Sequence, residues 1–281
     1  MEKQQILIPI EFTEKSHKAI EQSYNLAKLT GCEITLLHVI QTNNSFFDFI
    51  SKEESVKLAK EMEVNIHHKL ALLAEMIEDR AGVKVNTIIE KGKIYEKILE
   101  ISEKINVRYI LMAKKGSNVS NRFISTKTMM VIREAKVPVL TVADSPMLDG
   151  CKMIILPLDL TKETTIKVSK AIEIANRYNA AISVVSVMDT TDEYELYKLN
   201  SQIERVKEVI MGNNIACTAE IIKKDKNNLA DTLLNYAKNK NADLLIIMTQ
   251  QEKNWTRFFV GSTAQEIIRL SDIPILSIVP K

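Results

Sequence analysis

The chain has 281 residues, 46% of them hydrophobic and 26% charged, with a formal net charge of +2. That length exceeds one ordinary core and favours two domains. So small a net charge argues against nucleic acid, whose phosphates need a basic stripe, and 5% aromatic residues leave little for stacking on single strands.

No apolar run approaches the roughly 20 residues that span a bilayer, and the opening MEKQQILIPIEF lacks the basic-then-apolar layout of a signal peptide. A cytoplasmic protein that binds neither membrane nor nucleic acid is expected. From residue 6, ILIPI is a continuous apolar run of the kind buried on both faces of a parallel sheet. Behind it, TEKSHKAIEQSYNLAKL places apolar residues at helical spacing after a Thr13 cap. EITLLHVI is a second strand, and residues 51–80 read as one long amphipathic helix. A third strand VKVNTIIE, the helix IYEKILEISEK, a strand YILMA, a loop, the helix KTMMVIREA and a last strand PVLTV follow.

The order then begins again. Residues 6–40 align without gaps on residues 154–188, matching Ile6 with Ile154, Pro9 with Pro157, Thr13 with Thr161, Ala27 with Ala175, Ile34 with Ile182 and Val39 with Val187. The ends match as well, VIREAKVPVLTV against IIRLSDIPILSI, so the chain carries two copies of one domain. We expect domains at 1–143 and 152–281 joined by a linker at 144–151. Five strands with four intervening helices per copy imply two tandem α/β domains, each a doubly wound five-stranded parallel sheet flanked by helices. Ligands of such sheets bind beyond the carboxyl ends of the strands, beside the first.

Several residues carry a functional and a plainer reading side by side. Gly261-Ser262 opens a helix, where N–H groups can approach a phosphate, or Ser262 caps that helix. Glu11 and Asp159 end a buried strand, where a carboxylate can meet a ligand or accept N–H groups of the next helix. Lys114 and Lys115, like Lys253 and Arg257, could screen phosphate or simply be solvated. Trp255, Phe258 and Phe259 could cover a pocket, face a partner or pack on their own domain. His67 and His68 are adjacent on a helix and project about 100° apart, a poor metal pair, and His38 reads as a satisfied core histidine. Cys32, Cys151 and Cys217 are distant, odd in number and best read as small core residues. No nucleophile with a base is recognisable, so no catalytic residue, metal ligand or enzymatic activity is assigned.

Pro9 with Glu11, Pro157 with Asp159, LLHV ending at Val39, NADLLIIM, Gly261-Ser262, and the endings KVPVLTV and DIPILSIV resemble the universal stress protein family over nearly the whole chain. The likeness implies the strand order 3-2-1-4-5, domains paired through their fifth strands, and a stress-response or regulatory role. ATP-binding members carry a glycine, two residues, a second glycine, nine residues, then glycine with serine or threonine. Counting back from Gly261-Ser262 puts the first two glycine positions on Met248 and Gln251. In the first copy the glycine–serine pair falls on Ser125-Thr126, and Ala113 with Gly116 supplies a small residue and one glycine at an interval one short.

Both pockets are therefore degenerate, because a side chain stands where the backbone should pass close to phosphate, and weak binding of ATP or AMP is the expectation. The resemblance implies contacts at Pro157, Asp159, Val187, Ile247, Met248, Gln251, Gly261, Ser262 and Thr263 in the second copy. The weaker first-copy set is Pro9, Glu11, Val39, Ala113, Gly116, Ser125 and Thr126. A homodimer and an unidentified protein partner are compatible with the sequence, which fixes neither.

Overall fold

The computed structural model describes residues 3–41, 52–114, 125–142, 150–158, 164–188, 192–224, 228–249 and 262–279. The chain divides into two compact units, Met1–Leu111 and Met112–Lys281.

The first unit holds β1 (Gln5–Pro9), α1 (Glu14–Thr30), β2 (Glu33–Ile40), α2 (Lys52–Ala81), β3 (Val85–Lys91) and α3 (Ile94–Lys104), with β4 (Val107–Ala113) running to its boundary. Its strands lie in the order β3-β2-β1-β4 and are all parallel. Ile6, Leu7 and Ile8 of β1 have no exposed surface, which explains why that strand reads as an unbroken apolar run. Helix α1 starts where Thr13 accepts the Ser16 N–H and ends at Gly31, whose φ of 67° is left-handed. Its counterpart in the second copy is Asn179, which takes a φ of 53°. The 30-residue α2 covers β3 with Leu70, Leu73 and Ile77 buried. A polar knot ties three strands at the far end of this sheet. The Glu33 carboxylate accepts from Asn86 at 3.1 Å and from Gln5 at 3.2 Å, while Gln5 accepts from Thr35 at 2.9 Å.

The second unit holds α4 (Thr126–Glu134), β5 (Val139–Val142), β6 (Met153–Pro157), α5 (Thr164–Tyr178), β7 (Ala181–Met188), α6 (Glu193–Met211), β8 (Cys217–Lys223), α7 (Leu229–Asn239), β9 (Leu244–Met248), α8 (Ser262–Leu270) and β10 (Ile275–Ile278). The second copy's strands run β8-β7-β6-β9-β10, which is the expected order of third, second, first, fourth and fifth, and every pair among them is parallel.

At its edge β10 pairs antiparallel with β5, matching Ile275 with Thr141, Leu276 with Leu140 and Ser277 with Val139. Leu140 and Leu276 are equivalent residues of the two copies, so this ladder is locally self-complementary, with the same residue type meeting itself at its centre. The pairing closes two apolar edges that would otherwise present unpaired backbone groups, and it explains why β5, a first-copy strand, belongs to the second compact unit. Leu140 and Leu276 are 4% and 2% exposed.

Candidate functional site

In the second copy β6 lies between β7 and β9, so chain order reverses at its carboxyl end and leaves a crevice there. Pro157 ends β6. A proline has no N–H to donate, but its carbonyl oxygen accepts the Nζ–H of Lys167 on α5 at 2.9 Å. One residue on, the Leu158 N–H donates to Val185 at 2.9 Å and the Leu158 carbonyl accepts the Ser186 hydroxyl at 2.5 Å. These bonds fix the strand ends around a cavity of about 520 Å³, a size suited to a small organic ligand.

Val185, Ser186 and Val187 of β7 form one wall, Ile247 and Met248 of β9 another, and Ser262 and Thr263 at the start of α8 a third. The lining is mainly apolar. Its polar groups are the Lys167 ammonium, the Ser186 hydroxyl and the two hydroxyls of α8.

Of the nine second-copy residues singled out from sequence, Pro157, Val187, Ile247, Met248, Ser262 and Thr263 line this cavity. Asp159, Gln251 and Gly261 lie outside the described residues, as do Lys253, Trp255, Arg257, Phe258 and Phe259. Met248, standing where the family motif has its first glycine, is 6% exposed and occupies part of the wall. Ser262 is the first residue of α8, one position inside the place where a capping side chain acts.

The equivalent helix α4 differs. Ser125 sits before it and accepts the Thr128 N–H at 3.1 Å, with Thr126 as the first helical residue. Ser125 is thus a helix cap. Ala113 ends β4, and Gly116 lies outside the described residues. In the first unit Pro9 ends β1, Val39 is 7% exposed on β2, and Glu11 is exposed. The Glu11 N–H donates to the Ser16 hydroxyl at 3.2 Å, and α1 is capped by Thr13, not by the acid.

His38, the counterpart of Ser186, bonds through Nδ1 to the Ile10 carbonyl at 2.7 Å. A carbonyl only accepts, so Nδ1 carries the proton. The ring of Phe12 lies 5.0 Å from that of His38, tilted by 40°.

Lys114, weighed from sequence as a phosphate contact or a solvated side chain, instead donates to the Ser271 carbonyl at 2.5 Å, just past the end of α8. A cation there satisfies a carbonyl the helix leaves unpaired. Lys115 lies outside the described residues. Burial pushes the Cys151 thiol up to about 12 and the Cys217 thiol up to about 11, so both stay protonated and poorly nucleophilic. His67 and His68 are exposed on α2.

Sequence reasoning passed over Lys167 and Ser186. The available signal was the alignment of the copies, which sets Lys167 against Ala19 and Ser186 against His38.

The universal stress protein family matches this chain twice, over residues 3–143 and 151–278. The chain belongs to the universal stress protein family. It is 28% identical to universal stress protein MJ0577 of Methanocaldococcus jannaschii over 155 residues, which is 49% of this chain and 93% of that protein. Among solved structures, a universal stress protein from Archaeoglobus fulgidus superposes with a TM-score of 0.77 at 19% identity, covering 99% of this chain and 97% of the other. Protein PA1789 from Pseudomonas aeruginosa gives 0.65 at 18% identity, covering 99% and 93%. At such identities these structures establish the tandem fold alone. No described helix is long and apolar enough to cross a membrane.

Proposed function

We propose that this tandem universal stress protein is a non-enzymatic cytoplasmic regulatory module whose second domain, 152–281, senses a small nucleotide, while the first, 1–143, is a structural partner joined through 144–151. The reading rests on one observation: six of the family-like positions, on three separate strands and one helix, face a single cavity of about 520 Å³. Met248 in the wall takes room that a glycine would leave for phosphate, so the site favours AMP over ATP and binds either weakly.

The domains pair through their fifth strands, β5 and β10. Titration calorimetry with AMP and with ATP and magnesium tests the reading. AMP is expected to bind, and Asp159→Ala and Ser262→Ala to weaken it. Magnesium-dependent ATP binding tighter than that of AMP would overturn it.

A scaffold role is the second reading, favoured by α2. Val56, Met62, Val64 and Leu72 are each about half or more exposed there, apolar area that a protein partner would cover. If a partner captured by the wild type is retained after all four are changed to Ser, this second reading fails.

A further inference from the structure

Another cavity of the second unit, about 360 Å³, lies between α5 and α6 and shares no lining residue with the one at the strand ends. Its volume falls at the lower end of ligand pockets, roughly 300–1,000 Å³. On α5, Thr165, Val168, Ser169 and Ile172 line it, a spacing of three and four that keeps side chains on one face of a helix. On α6, Val206 and Val209 stand opposite. Val168 is 6% exposed and Val209 is 55% exposed, so the apolar surface runs from a closed floor to an open rim.

A single charged side chain, Arg205, joins this lining. Arg205 is exposed and makes no ion pair among the described residues, and its neighbour Glu204 is held by Lys207 at 3.0 Å. An exposed guanidinium keeps its hydration, so its charge stays available to a ligand.

The first copy is built differently on the same face. Ser169 aligns with Glu21 and Ile172 with Tyr24. Tyr24 lies close enough to Glu21, and to Arg80 on the helix that follows, for their charges to act on its phenol in opposite directions. Helix α1 thus carries an aromatic ring and a carboxylate where α5 carries a shorter aliphatic chain and a hydroxyl. The second copy has an arginine on its following helix and no carboxylate at the matching place on α5.

We infer that the α5–α6 cavity is a binding site for a small monocarboxylate with an apolar tail, the carboxylate pairing with Arg205 and the tail lying over Val168, Ile172, Val206 and Val209. The guanidinium fork matches a carboxylate through two parallel N–H bonds, and the Thr165 and Ser169 hydroxyls supply further donors beside it. This site is separate from the nucleotide cavity and does not depend on it.

The test titrates the full chain by ligand-observed NMR with three probes of one tail length: octanoate, octanol and octylamine. Octanoate should bind the wild type about fivefold more tightly than octanol, the yield of one good exposed ion pair, and octylamine should bind more weakly than octanol. Arg205→Gln should bring octanoate within about twofold of octanol and leave octanol unchanged. Ser169→Glu, which places an internal carboxylate where α1 has Glu21, should weaken octanoate about fivefold, while Ser169→Gln stays within about twofold of the wild type.

Equal binding of octanoate and octanol by the wild type would overturn the inference, as would an octanoate preference that survives Arg205→Gln. Equal loss of both probes in Arg205→Gln would mark a packing role for the arginine and overturn it too. Should that variant not fold, the Ser169 pair decides, since octanoate binding that is indifferent to Ser169→Glu is incompatible with this site. Octanoate displaced by excess AMP would place it in the other cavity, so that this inference falls while the nucleotide reading stands. If no probe binds the wild type, the inference falls.

Discussion

The end of the second strand is where the two copies part company. In the first, His38 bonds to the carbonyl of Ile10 and lies beside the ring of Phe12. In the second, Ser186 makes the equivalent bond to Leu158 with a hydroxyl alone, next to a cavity. The helix starts differ in the same sense. Ser125 spends its oxygen capping α4, whereas the second copy has Gly261 in that place. The hydrogen bond at the end of the second strand is shared, and the side chain that makes it differs between the copies.

The largest expected effect breaks the seam that the copies share. Leu140 meets its own counterpart Leu276 in the β5–β10 ladder and is 4% exposed. Leu140→Asp places an unpaired carboxylate there and should cost about 4 kcal/mol, read as a lowered urea midpoint. A smaller effect comes from giving the second copy the first copy's side chain. Ser186→His should fill part of the cavity with an imidazole and remove ligand binding, which calorimetry reads separately from stability.

Glu33 sharpens the comparison by pH, since the second copy has Ala181 in its place. Hydrogen bonds from Asn86 and then Gln5, with the nearby Lys84 and Lys3, hold the Glu33 carboxyl below its usual 4.5. A depressed folded-state value means the contribution is full above the unfolded pKa and fades as pH falls through the folded one. Glu33→Gln should therefore cost about 1 kcal/mol at neutral pH and leave a shallower loss of stability below pH 4.5, checked by urea titrations across that range. The smallest effect is at the helix ends. Asn179 takes the left-handed turn that Gly31 takes in the first copy, and Asn179→Gly should stabilise by about 0.5 kcal/mol, visible as a small rise in Tm.

Much of this was legible in the sequence because it is periodic and local. ILIPI and LLIIM are continuous apolar runs, Thr13 announces a helix start, and the repeat dictates strand order. The long α2, expected over residues 51–80, is observed as Lys52–Ala81. The cavity was legible only in part, because its walls come from Pro157, Val187, Met248 and Ser262, which only the folded sheet makes neighbours. Lys167 was missed because a lysine in an amphipathic helix ordinarily reads as a solvated residue, and its bond to the Pro157 carbonyl reaches the end of a different element. Lys114 was misplaced for the same reason, its partner being Ser271, far along the chain.

The central claim is that one copy holds a ligand and the other does not, and native mass spectrometry of the full chain with excess AMP tests it most directly. The account predicts one nucleotide per chain, falling to none in Ser186→His. Two nucleotides per chain, or one that survives Ser186→His, would contradict it.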